Sequence, residues 1–175
     1  MMFGRRRIEW KRLLSLRSAL VAAGVAGTAM LLVWAAGNDT LMAGFQGVLA
    51  TITGRILRLL GHEVTVIGNS VSSSLFGISV VTACTGLFTM GLFAIAVLAY
   101  PSGWLSKLIG IGIGIGGVFL INVVRLVSLY YIGVHLPNFL DQAHLLVWQS
   151  VLIVVAVSLW LLWAGRIANA SRTVR

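Results

Sequence analysis

Three side chains in this sequence can carry acyl-transfer chemistry between them: Cys84, the only cysteine, Arg125 and His144. Cysteine supplies a nucleophilic sulfur, histidine moves a proton near neutral pH, and arginine stabilises a developing negative oxygen. Cys84 lies in Val80-Val81-Thr82-Ala83-Cys84-Thr85-Gly86-Leu87, where a polar, strand-like stretch gives way to a long apolar run. Thr82 there predicts a helix N-cap, with Cys84 in the first turn, where free N–H groups and the helix dipole favour a thiolate. The competing reading is an inert buried thiol, the commoner fate of a lone cysteine. Arg125 falls within an apolar run, and an ionisable residue there usually faces the protein interior; its alternative role is to snorkel to the head groups. Asn122, three residues earlier on the same helical face, can share a polar cluster with it. His144 has Asp141 three residues before it, a carboxylate able to hold the imidazole in one tautomer. The alternative is an interfacial histidine with no task.

These residues must be positioned by membrane helices. Of the 175 residues, 59% are hydrophobic and only 10% charged, more apolar content than one soluble core can bury. The +9 charge is concentrated at the ends of the apolar runs. Arg5, Arg6, Arg7, Lys11, Arg12 and Arg17 precede the first run, and Arg166, Arg172 and Arg175 follow the last. That placement is the positive-inside signal and suits anionic lipid head groups, not nucleic acid. A lone cysteine excludes an internal disulfide framework and a cysteine-based zinc cluster.

Residues 1–17 are expected to be a basic cytoplasmic N-terminus and 18–36 a first span, about the 20 residues a bilayer requires. Residues 37–81 are expected outside the cytoplasm. Within them, 41–60 carries Arg55 and Arg58 on one face of an otherwise apolar helix, which suits a helix lying at the interface, with a further span as the alternative. Glu63 to Ile67, the Gly68-Asn69 turn and Ser70 to Ser74 read as a hairpin, and 76–81 can add a third extended piece. Spans at 82–100, 108–131 and 143–165 follow, then a cytoplasmic tail at 166–175. The predicted fold class is therefore an all-α membrane protein: about four transmembrane helices, an interfacial amphipathic helix and a small extracytoplasmic β-hairpin cap. Alternation of the spans puts Cys84, Arg125 and His144 together in the outer layer of the membrane.

Other patterns weigh little. Gly110, Gly112, Gly114, Gly116 and Gly117 contain Gly-x-Gly-x-x-Gly, but no strand precedes them, and small residues in a membrane helix are better explained by close packing. His62-Glu63 begins a zinc-protease motif whose second histidine position is Val66. His135, Asp141 and His144 lack a recognised metal-ligand spacing. No cofactor or metal is expected.

Ala83-Cys84-Thr85-Gly86-Leu87, Asn122-Val123-Val124-Arg125-Leu126 and His144 ahead of Val147-Trp148 together resemble the exosortase/archaeosortase family. The connecting segment from Ala99-Tyr100-Pro101-Ser102-Gly103-Trp104 to Gly110 is also similar to that family's link between its cysteine and arginine helices. The chain has no room for the extra spans of larger members and is most similar to the short type, exosortase H. The resemblance implies a multi-pass enzyme of the cell membrane, its active site facing outward. It would process exported proteins that end in a sorting signal of short motif, transmembrane helix and basic tail. It also implies catalytic roles for Cys84, Arg125 and His144. Two other classes fit the residues: a non-catalytic membrane or transporter subunit with Arg125 lining a pathway, and a thiol redox or acyl-carrier enzyme using Cys84 alone.

Overall fold

A computed structural model describes the backbone of residues 3–168 and the side chains of residues 18–166. Helix α1 (Phe3–Ala36) is followed by α2 (Asp39–Leu59), whose N-terminus is capped by Asn38: its side chain accepts the Leu41 N–H at 3.0 Å. Then come strands β1 (Thr65–Ile67), β2 (Ser70–Ser72) and β3 (Gly77–Ser79), a 3₁₀ turn at Thr82–Cys84, α3 (Leu87–Ala99) and α4 (Trp104–His135). The last helical run, Pro137–Arg166, contains a short α5 (Leu140–Gln142), a π-helical turn at Ala143–Val147 and α6 (Trp148–Leu162).

The expected hairpin forms around Gly68-Asn69, with Ile67 opposite Ser70. Gly68 adopts φ +59, the left-handed region that a glycine-first hairpin turn requires. Residues 77–79 add the third strand, giving an antiparallel sheet in the order β1-β2-β3. Val66, Val71 and Ile78 stand side by side on one face, as the two-residue period demands. Gly54 of α2 admits that face closely, since a Cβ there would collide with Val66.

Among the described residues, four helices are long and apolar enough to cross a membrane: Ser18–Ala36, Asp39–Leu59, Trp104–His135 and Pro137–Arg166. The count is the expected one, but its membership differs. The expected span at 82–100 has only 13 residues of α-helix, about 20 Å of rise against a hydrocarbon core of about 30 Å. The polar stretch ahead of Leu87 folds into the 3₁₀ turn, and Pro101 follows the helix C-terminus, so α3 is short at both ends. Helix α2 has the length, but is the least apolar of the four. Its buried stripe of Leu49, Ala50, Thr53, Gly54 and Leu57 packs on the sheet and α4. Arg55 and Arg58 are exposed, and Arg58 Nε donates to the Val64 carbonyl at 3.1 Å.

Helix α4 has 32 residues, about 48 Å, longer than a bilayer core is thick. Its first half packs on α3 and α6. There Gly110 faces Trp163, Gly114 faces Phe93 and Gly117 faces Leu159, each so close that a Cβ would collide. Gly112 and Gly116 have no neighbour within 4 Å, so the glycine stripe serves packing at three positions of five. Its second half joins the other core, where Val123, Leu126 and Tyr130 meet Leu49, Leu57, Val71, Val80 and Cys84. The cysteine turn thus lies where the helix bundle meets the sheet-and-α2 cap.

Candidate functional site

Thr82 does not cap a helix that contains Cys84. The 3₁₀ turn holds the cysteine, with its N–H donating to the Val81 carbonyl at 2.7 Å, and α3 begins only at Leu87. Gly86 precedes it with φ +74, a conformation that breaks one helix from the next. The helix-dipole argument for the thiol therefore fails, and the sulfur's environment is set by side chains. Thr82 still serves the turn: its hydroxyl accepts from Gln46 Nε2 at 3.2 Å, tying α2 to it. Thr85 is fully buried and donates back to the Thr82 carbonyl at 2.7 Å.

Cys84 Sγ lies 2.9 Å from His144 Nε2, although 60 residues separate them. The thiol is 6% exposed. His144 stands in the π-helical turn, a widened turn of the kind often found at functional sites. Asn122 and Arg125 approach from α4. Asn122 Nδ2 donates to the Cys84 carbonyl at 2.7 Å, fixing the turn from behind, while its own Oδ1 has no hydrogen-bond partner. Arg125 is 2% exposed, and its Nε and Nη1 also lack partners. Its charge acts electrostatically on both Cys84 and His144. A buried cation with two unused donors beside a thiol–imidazole pair is costly unless something negative completes it.

The pair opens onto a cavity of about 230 Å³. Phe76, Gly77, Ile78 and Val81 form one wall, and Leu126, Leu129 and Leu140 the other. Asp141 lines the same cavity and lies within electrostatic reach of His144. It makes no hydrogen bond to the imidazole, so the orienting role expected of it is not present in this geometry. Strand β3 supplies a wall of the site, which nothing in its sequence announced.

His62 and His135 belong to a different cluster. His62 Nε2 pairs with Tyr131 OH at 2.9 Å, His135 stacks on Tyr131, and Tyr130 OH donates to Ser73 Oγ at 2.8 Å. Among the described residues, no three His, Cys, Asp or Glu side chains gather as a metal site would require. What the arrangement offers is a thiol within hydrogen-bond reach of a base, beside a fixed cation and a partly apolar cavity.

No curated protein and no solved structure shows significant similarity to the chain. The family model for transmembrane exosortase matches residues 13–164, a stretch that includes Cys84, Asn122, Arg125, Asp141 and His144. With nearly its whole length matched and its helices built for a bilayer, the chain belongs to the transmembrane exosortase family and is a multi-pass membrane protein of protein sorting.

Proposed function

We propose that this protein is a membrane-embedded cysteine peptidase or transpeptidase that removes the C-terminal sorting signal of exported proteins. The observation that carries the reading is the 2.9 Å approach of Cys84 Sγ to His144 Nε2, beside an Arg125 whose buried donors are unused. His144 Nε2 takes the Cys84 proton, and the sulfur attacks the scissile carbonyl carbon. The carbonyl oxygen becomes negative, and Arg125 stabilises it, an effect worth about 3–4 kcal/mol for one well-placed donor in a dry site. Collapse breaks the C–N bond, His144 returns the proton to the departing amine, and a thioacyl-enzyme remains. An amine or water then attacks that carbonyl, gives its proton to His144, and releases Cys84. Asn122 is the positioning residue that holds the cysteine turn.

The reading places the protein in the cell (inner or cytoplasmic) membrane, in contact with lipid, with both termini cytoplasmic and the site facing outward. The basic flanks support that orientation. In this reading α3 crosses with α1, α4 and α6 while α2 lies at the outer interface, as its amphipathic stripe suggests. Because α3 is short, Cys84 would sit below the outer surface, inside the protein at the depth of the lipid tails.

Co-expression with a secreted reporter ending in a motif, an apolar helix and a basic tail tests the proposal. Cys84→Ala, Arg125→Ala, His144→Ala and the triple variant should each leave the reporter at full length while remaining membrane-inserted. Residues that act as a unit lose function non-additively, so any single change should cost nearly as much as all three. Normal trimming by Cys84→Ala refutes the proposal.

A further inference from the structure

Helices α3 and α6 leave a second groove below the catalytic pair, with a volume of about 520 Å³. Phe88, Thr89, Leu92, Phe93 and Ala96 line it from α3, at the helical spacing of one face. Gln149, Ile153, Ala156, Val157 and Trp160 line it from α6 in the same way. The wall residues Phe88, Leu92, Ile153 and Val157 are more than half exposed, so the outward side chains of both stripes are left uncovered among the described residues. From Gln149 to Trp160 the groove follows about 16 Å of helix.

Its upper end is different in character. Helix α3 follows directly on the turn that holds Cys84 and α6 on the turn that holds His144, and Phe88 and Gln149 lie four and five residues beyond those side chains, so the groove starts at the ends of α3 and α6 that adjoin the reacting groups. There Thr89 and Gln149 are the polar lining residues, and the exposed Gln149 amide makes no hydrogen bond among the described residues. In a lipid-facing position an unsatisfied amide costs several kcal/mol, and a fatty chain cannot satisfy it. A polypeptide can, because the residues next to a scissile bond carry free backbone N–H and C=O groups. Two parallel stripes with small residues, Ala96 and Ala156, also suit the close approach of a third helix.

We infer that the α3–α6 groove seats the membrane-spanning helix of the substrate, parallel to α3 and α6, with the segment just before that helix reaching Gln149 and then Cys84. The inference rests on the peptidase reading and adds the surface that selects the substrate. It explains how a membrane enzyme finds one peptide bond: the docked helix fixes the depth at which that bond meets the sulfur.

The probe is a secreted reporter carrying a short polar motif, an apolar helix of about 20 residues and a basic tail from a protein of the same genome. A photo-crosslinking amino acid is placed at Ile153 in the Cys84→Ala background, and at Met30 of α1 as control. The expected result is a reporter adduct at Ile153 and none at Met30, mapped to the reporter's apolar helix. Gln149→Leu should slow processing about fivefold, the worth of one interhelical hydrogen bond, without changing how fast a small thiol reagent labels Cys84. If the wild type trims the reporter through Cys84 but Ile153 captures lipid or a second copy of the chain, the docking surface is wrong and the peptidase reading stands. If no Cys84-dependent trimming occurs, both fall.

Discussion

Replacing Arg125 by methionine should make the protein inactive and more stable at once. Arg125 is 2% exposed, and its Nε and Nη1 donors have no partner. Each unsatisfied buried donor costs about 1–3 kcal/mol, and more on a charged group. Methionine keeps much of the volume and removes both donors and the charge; exchanges of buried ionic groups for apolar ones have gained about 1–4 kcal/mol. For a chain of this length that gain raises the melting temperature by about 2–4 °C per kcal/mol. Thermal unfolding of the detergent-solubilised protein, scored by loss of a folded fluorescence signal, reads the change. The gain should be larger in the Cys84→Ala background if a thiolate partly compensates the cation in the resting enzyme, and the double-mutant cycle measures that coupling. A lower melting temperature for Arg125→Met in both backgrounds would mean that the guanidinium holds the fold together. Its unused donors would then not be a reserve for catalysis.

Other outcomes follow from the same geometry. Arg125→Lys should process substrate nearly as poorly as Arg125→Ala, because an ammonium lacks the planar fork; full activity in the lysine variant removes Arg125 from the oxyanion role. Gly86→Ala forces a Cβ onto a residue at φ +74, a strain of about 1–2 kcal/mol, and puts that carbon 3.4 Å from Asn122 Cγ. Activity should fall further than stability does, because relief of that strain shifts the backbone joining the Cys84 turn to α3; parallel losses would make Gly86 a folding residue only. A reporter active only outside the cytoplasm should be silent when fused after Arg175 and active after Ser72, whereas activity at the C-terminus would mean that α2 also spans.

Much of the fold could be read from residues whose local physics leaves little choice. Gly68-Asn69 between alternating segments allowed a hairpin, and 18–36 was long and apolar enough only for a span. Residues 82–100 were harder, because hydropathy does not register a 3₁₀ turn or a glycine at φ +74: the α-helix there has only 13 residues of the 19 read as one. For α2, length argues for crossing and its two arginines for the interface, and sequence alone could not weigh one against the other.

At the site, Cys84, Arg125 and His144 were nominated by residue type and family resemblance, and Asn122 by its place on the Arg125 face. Their assembly depends on long-range packing: His144 reaches the sulfur from a π-helical turn that no sequence pattern signals. The Thr82 cap failed because Gly86 interrupts the backbone between the turn and α3. Asp141 lies within electrostatic reach of His144 without a hydrogen bond to it, beside the widened turn at Ala143–Val147.

In the proposed reaction the Cys84 sulfur becomes covalently joined to substrate during processing. Mass spectrometry of the wild-type protein, isolated from cells expressing the tailed reporter and quenched in acid, tests it most directly. The expected product is a Cys84-containing peptide bearing the reporter's new C-terminus through a hydroxylamine-labile thioester, absent from Cys84→Ala. Complete trimming of the reporter by Cys84→Ala, with no adduct on the wild-type cysteine, would contradict it.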